Sequence, residues 1–160
     1  MTMNEIEVLL ARLRRSSIEV FVGGPADENA ISRLEDAFGR LMPPSYRAFL
    51  ARYGGLNIAD TTYSGIIDGA IDDGRGTAWA DTKVAREQCQ IPAHYLVVQS
   101  DDDGFKCLDF AQTGLDGEHP VIYHMPYWST PFHELSPSFG AWINMALRAT
   151  TDAELRADTG

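Results

Sequence analysis

The sequence predicts an α+β fold: a mainly antiparallel β-sheet with helices packed on one face, and helices at both ends of the chain. Three observations predict it. Apolar residues recur at helical spacing near both ends, glycine-punctuated β-prone runs fill the middle, and a Pro-Pro pair hinges a helical hairpin. Helices first, strands in the centre and a helix last is the order expected when helices pack on an antiparallel sheet. The 160 residues suit a single domain over 1–160.

The first helix is expected over residues 3–15, with Ile6, Leu9, Leu10 and Leu13 on one face. Arg12, Arg14 and Arg15 gather at its end, where positive charge complements the helix dipole. Ile18 to Val22 is a short β-prone run broken by Gly23-Gly24-Pro25. Asp27 is placed to cap a second helix carrying Ile31, Leu34, Phe38 and Leu41. Pro43 and Pro44 end that helix, and proline is tolerated in the opening turn of the next. In the third helix Tyr46, Phe49, Leu50 and Tyr53 fall at i, i+3, i+4 and i+7. Gly54 is expected to close it in the left-handed conformation.

Beyond Gly54-Gly55, glycines at 65, 69, 74 and 76 bracket short strands around Ile66-Ile67 and Ala70-Ile71. Thr77 to Gln90 favours helix and is ended by Pro92. Strands follow at Leu96–Val98, Phe105–Phe110 and Pro120–Tyr123, the first two joined by the turn Asp101-Asp102-Asp103-Gly104. Ser136-Pro137 reads as a cap and first position for the last helix, whose apolar face is Phe139, Trp142, Ile143, Ala146 and Leu147. The tail from Thr150 is polar and expected to fray.

Three blocks carry a family resemblance. Leu-x-Pro-Pro-x-Tyr-x-x-Phe-Leu after an acidic amphipathic helix, closed by Tyr-Gly-Gly, spans Ile31 to Asn57. The second block is Leu96 to Tyr123, LVVQSDDDGFKCLDFAQTGLDGEHPVIY, and the third is Phe132 to Leu147. In this order they resemble the SUKH superfamily, which takes in immunity proteins of bacterial polymorphic toxin systems and yeast cell-wall-assembly regulators. The shared core covers about residues 27–148, with helix 3–15 and tail 150–160 as additions; Asn57–Gln90 aligns loosely.

Charge and motifs narrow the function classes. The net charge is −10, from 23 acidic and 13 basic residues. Such a chain repels phosphate backbones and anionic membranes, and it accelerates encounter with a basic protein. No apolar run reaches the roughly 20 residues that span a bilayer. The opening MTMNEIEVLLARLRR is acidic first and basic last, the reverse of a secretory signal, so a cytoplasmic protein is expected. Cys89 and Cys107 read as reduced packing residues. No Gly-x-Ser-x-Gly, phosphate loop or Cys-x-x-Cys occurs, and the four histidines do not pair at helical spacing. Asp101–Asp103 lack the alternating ligands of a calcium loop. No catalytic, cofactor-binding or metal residue is assigned, and no cofactor is expected.

What remains is a binding surface. Aromatic residues on loops make rigid interface anchors, which singles out Tyr127 and Trp128 in the Pro-bounded loop MPYWSTP, and Trp79. Asp72, Asp73, Asp101, Asp102 and Asp103 would supply the negative charge around them. Core-edge packing of Trp79 and Trp128 stands as the equal alternative. Together with the resemblance, these residues imply a non-enzymatic immunity protein that occludes a cognate toxin with a basic surface, such as a nuclease. A SUKH-type interaction module with a regulatory partner is the alternative, and an unrecognised hydrolase or metalloprotein the third.

Overall fold

The computed structural model describes residues 3–128 and 132–159. Helix α1 (Met3–Arg14) leads into β1 (Val20–Val22), then the hairpin of α2 (Glu28–Phe38) and α3 (Pro44–Tyr53). Strands β2 (Leu56–Ile58) and β3 (Thr61–Tyr63) precede α4 (Ala78–Cys89). Strands β4 (Tyr95–Ser100), β5 (Phe105–Asp109), β6 (Val121–His124) and β7 (Phe132–Ser136) lead to α5 (Phe139–Thr159). The α+β class and the helices at both ends are as the sequence predicts.

The hairpin shows how local chemistry sets the frame. Asp27 accepts from the Ala30 amide at 2.8 Å and caps α2, and Gly39, at φ 90°, closes it. Buried Glu35 accepts from the Met42 amide at 2.7 Å and from Arg47 at 3.1 Å, tying the end of α2 to α3 across the prolines. Gly54 departs from expectation. Its φ is positive at 72°, but ψ is −63°, outside the left-handed helical basin. The reason is a close approach: a Cβ there would lie 2.2 Å from the Gly24 carbonyl oxygen and 2.3 Å from that of Ile66.

All strand pairing is antiparallel, in a three-stranded sheet β1-β2-β3 and a four-stranded sheet β4-β5-β6-β7. The two meet where the Ser64 amide donates to the Val98 carbonyl at 2.8 Å. Strands expected around Ile66 and Ala70 are replaced by two isolated bridges, Ile67 with Ala70 and Gly65 with Thr77. The paired strands lie earlier, at β2 and β3. The intervening segment is a loop closed by a 2.9 Å bond from the Gly65 amide to the Gly76 carbonyl.

The main core joins α1, α2, α3 and α5 to one side of the strands, with Tyr46, Phe49, Phe139 and Trp142 at its centre. Leu96, Val98, Leu108 and Val121 are the sheet's contribution. A second cluster, Ala85, Ile91, Tyr95, Val97, Cys107 and Ile122, forms where α4 packs on β4. Both cysteines are free thiols there; burial and nearby Asp109 push the Cys107 thiol far above its ordinary pKa.

Two expectations for the C-terminal part give way. Ser136 belongs to β7, a strand the sequence reading did not separate from the last helix, and Ser138 Oγ accepts from the Ala141 amide as the cap instead. Nor does the tail fray: α5 continues to Thr159, because Thr151 is buried, Leu155 packs on the core, and Asp152 lies 3.6 Å from Arg12 of α1. Among the described residues no helix is long and apolar enough to cross a membrane.

Candidate functional site

Asp101, Asp102, Asp103 and Gly104 turn the chain from β4 into β5. The turn is held by its first aspartate: Asp101 Oδ1 accepts from the amides of Asp103 (2.9 Å) and Gly104 (3.0 Å). Its carboxylate also accepts from the Tyr123 hydroxyl at 2.6 and 2.5 Å, and Lys106 Nζ stands 3.7 Å away. Lys106 further donates to Gln99 and lies 5.1 Å over the Tyr123 ring. Desolvation, reinforced by the bond to Asp101, holds the Tyr123 phenol well above its usual pKa. Asp101 is thus a positioning group already matched by a cation. Asp102 and Asp103 are exposed, and among the described residues their carboxylates have no hydrogen-bond or ion-pair partner.

Gly104 joins this turn to the aromatic loop. A Cβ on it would stand 2.0 Å from the His124 carbonyl oxygen and 3.0 Å from Met125 Cα, so the turn rests directly on the end of β6. From there the chain enters a turn in which the Trp128 amide donates to the Met125 carbonyl at 3.1 Å. Tyr127 is 90% exposed and Trp128 54%. Ser129, Thr130 and Pro131, the remainder of the Pro-bounded loop, lie outside the described residues. Phe132, 47% exposed, opens β7 beside them. Of the four exposed aromatic side chains among the described residues, three therefore fall within six positions.

The register explains why these groups meet. Phe105, His124 and Phe132 are cross-strand neighbours on β5, β6 and β7, so the acidic turn and the aromatic loop share one end of the sheet. Two inter-strand spacings separate β5 from β7, about 10 Å. Phe132 packs 4.7 Å from the buried His124 ring, tilted by 47°, and Tyr95 meets both edge-on at 6.2 Å. Burial lowers the His124 pKa, and its Nδ1 has no hydrogen-bond partner among the described residues.

Asp72, Asp73 and Trp79 sit elsewhere. Trp79 is half-buried, edge-on to Phe38 at 6.4 Å, with the Arg86 guanidinium 5.1 Å over its ring. Phe38 lies 4.7 Å from Phe110, just past the opposite end of β5, about 17 Å along the strand from Phe105. Asp72 pairs with Lys83 of α4, and the Asp73 amide donates to Thr77. A cleft of about 570 Å³ adjoins the acidic turn, bordered by Asp60, Tyr63, Arg75, Asp101, Asp102 and Thr150. Phe132, Tyr123 and Glu134 escape a reading by motif. The aromatic spacing 127, 128, 132 was the available signal for the first.

A family model described as SMI1-KNR4 cell-wall, SUKH_5, matches residues 6–148. The chain belongs to the SUKH superfamily. The match begins inside α1 and ends inside α5, so every strand of this SUKH domain, the acidic turn and the exposed aromatic residues fall within it. No curated protein matches the chain. The SUKH assignment carries the expectation of a protein partner. Among the described residues no group of three or more His, Cys, Asp or Glu side chains could hold a metal ion.

Proposed function

We propose that this SUKH protein is an immunity protein that binds a toxin domain through the acidic, aromatic end of its four-stranded sheet and blocks it by occlusion. The observation that carries the reading is the meeting of Asp102 and Asp103, both unpaired among the described residues, with exposed Tyr127 and Trp128 at that end. Unpaired carboxylates raise the encounter rate with a cationic surface, and rigid aromatic side chains bury area at small entropic cost. A nuclease cleft, cationic because it holds phosphate, has the complementary chemistry. The cell-wall description of the matching family favours a second reading, a SUKH scaffold with a regulatory partner.

The test is co-expression with a toxin domain encoded at the same locus, scored by survival and then co-purification. Asp102→Asn with Asp103→Asn should slow association several-fold and flatten its salt dependence, since Asp101, which holds the turn, is left in place. Unchanged association would remove the acidic turn from the interface. Survival without a complex would overturn occlusion.

A further inference from the structure

We propose that the outer edge of β7 accepts an extended, basic segment of a partner protein as an added strand, anchored by Phe132 and Glu134. This rests on the reading above and specifies how the partner docks.

The sheet order places β7 at the end, hydrogen-bonded to β6 alone, and among the described residues its outer side has no backbone partner. The other margins are short or partly engaged. The Val98 carbonyl and the Val97 amide at the outer side of β4 are taken by Ser64 and by Thr82 Oγ1. Strand β1 has three residues, and the Gly23 carbonyl just after it accepts from Asp68. A free edge is a template for an incoming strand, with main-chain bonds giving affinity and flanking side chains giving selectivity. A register shift beside Ile122 places Leu135 outside the regular ladder, so Phe132, His133 and Glu134 form the regular edge. All three are exposed.

Charge decides the occupant. Asp102, Asp103 and Glu134 are exposed and unpaired among the described residues, while Lys106, which follows the turn, is engaged by Asp101. A second copy of this chain carries a net charge of −10 and is repelled. Two-fold pairing of β7 centred on Glu134 would also set two carboxylates face to face, which destabilises a strand pair. A strand bearing lysine or arginine at alternate positions suits this edge: Phe132 and Glu134 share one face of β7, so cations on that face pair with Glu134 and lie over the Phe132 ring, and the apolar side chains fall on the face of His133.

The test uses a fluorescent peptide of four Lys-Val repeats and two N-methylated forms, one methylated on every lysine and the other on every valine. Alternate amides of an added strand face the edge, so methylation of one set should weaken binding at least tenfold and the other by less than threefold. Exchange of β7 amides, followed by NMR, should slow in the complex. Two equally tight methylated peptides, or β7 amides that exchange as before, would overturn strand addition. If the binding is then still lost in the Asp102→Asn, Asp103→Asn variant, the acidic-surface reading survives alone. A peptide that does not bind while the toxin domain co-purifies also overturns strand addition only. Absence of both overturns the two together.

Discussion

Replacing Gly104 by alanine tests whether the acidic turn and the aromatic loop form one unit. The φ of Gly104 is not positive, so alanine suffers no backbone strain there, and the effect isolates the contact. The added Cβ would start 2.0 Å from the His124 carbonyl oxygen, where real Cβ contacts essentially never fall below 3.0 Å, so something must move by about 1 Å. Neither side is a flexible side chain. His124 is paired with Phe105 on one side and Phe132 on the other, and the displacement must pass into three strands. Overpacking of this kind costs about 1–3 kcal/mol, against which alanine recovers up to about 1 kcal/mol by restricting the unfolded chain. A net loss of about 1–2 kcal/mol, with a urea slope of about 2 kcal/mol/M, lowers the unfolding midpoint by about 0.5–1 M. Gly114→Ala is the control: its φ is also not positive, and the nearest atom to its Cβ would be Glu118 O at 3.6 Å. Its midpoint should hold or rise. Equal midpoints for the two variants would refute the close packing of turn on loop.

Three further outcomes are expected. Glu35→Ala strands the buried Met42 amide and breaks the contact with Arg47, lowering stability by about 2–4 kcal/mol in urea unfolding. Glu35→Gln, which keeps an acceptor, should lose less. Burial depresses the His124 pKa below 6.5, so its contribution is complete above pH 6.5 and is lost as pH falls toward the folded-state value. The stability difference between wild type and His124→Phe should therefore be flat above pH 6.5 and change by at most about 1.4 kcal/mol per pH unit below it. Truncation after Thr150 removes buried Thr151 and the core contact of Leu155, and should lower the thermal midpoint by several degrees.

The fold was legible where one local rule sufficed. Asp27 caps α2, Pro44 opens α3, and Tyr46, Phe49, Leu50 and Tyr53 face the core as their spacing requires. It was illegible where distant contacts decide. Nothing local to Gly54 reports that Gly24 and Ile66 crowd it, and nothing in the polar tail reports that α1 waits alongside to bind Asp152. Strand β7 was missed because Phe-His-Glu-Leu-Ser is short and its pairing partner lies across a loop. The site was half legible. Composition could nominate the acidic turn, Tyr127 and Trp128, but only the register brings Phe132 beside them, and only the packing of Phe38 sets Trp79 apart.

The segment from Gly65 to Gly76 has its two ends clasped. The Gly65 amide meets the Gly76 carbonyl, and the Asp81 carboxylate accepts from both Ser64 Oγ at 2.6 Å and the Gly76 amide at 3.2 Å. With its base fastened, the exposed tip over residues 72–75 can change in length at small cost, because doubling a flexible loop costs only about 0.6 kcal/mol of closure entropy. The fold therefore carries a replaceable cassette, with Asp72, Asp73 and Arg75 as its cargo. A graft between Asp72 and Gly74 is a route to a new surface, while Ile71, packed on the core, and the Gly69 carbonyl, bonded to Arg33 of α2, hold the first half of the segment in place.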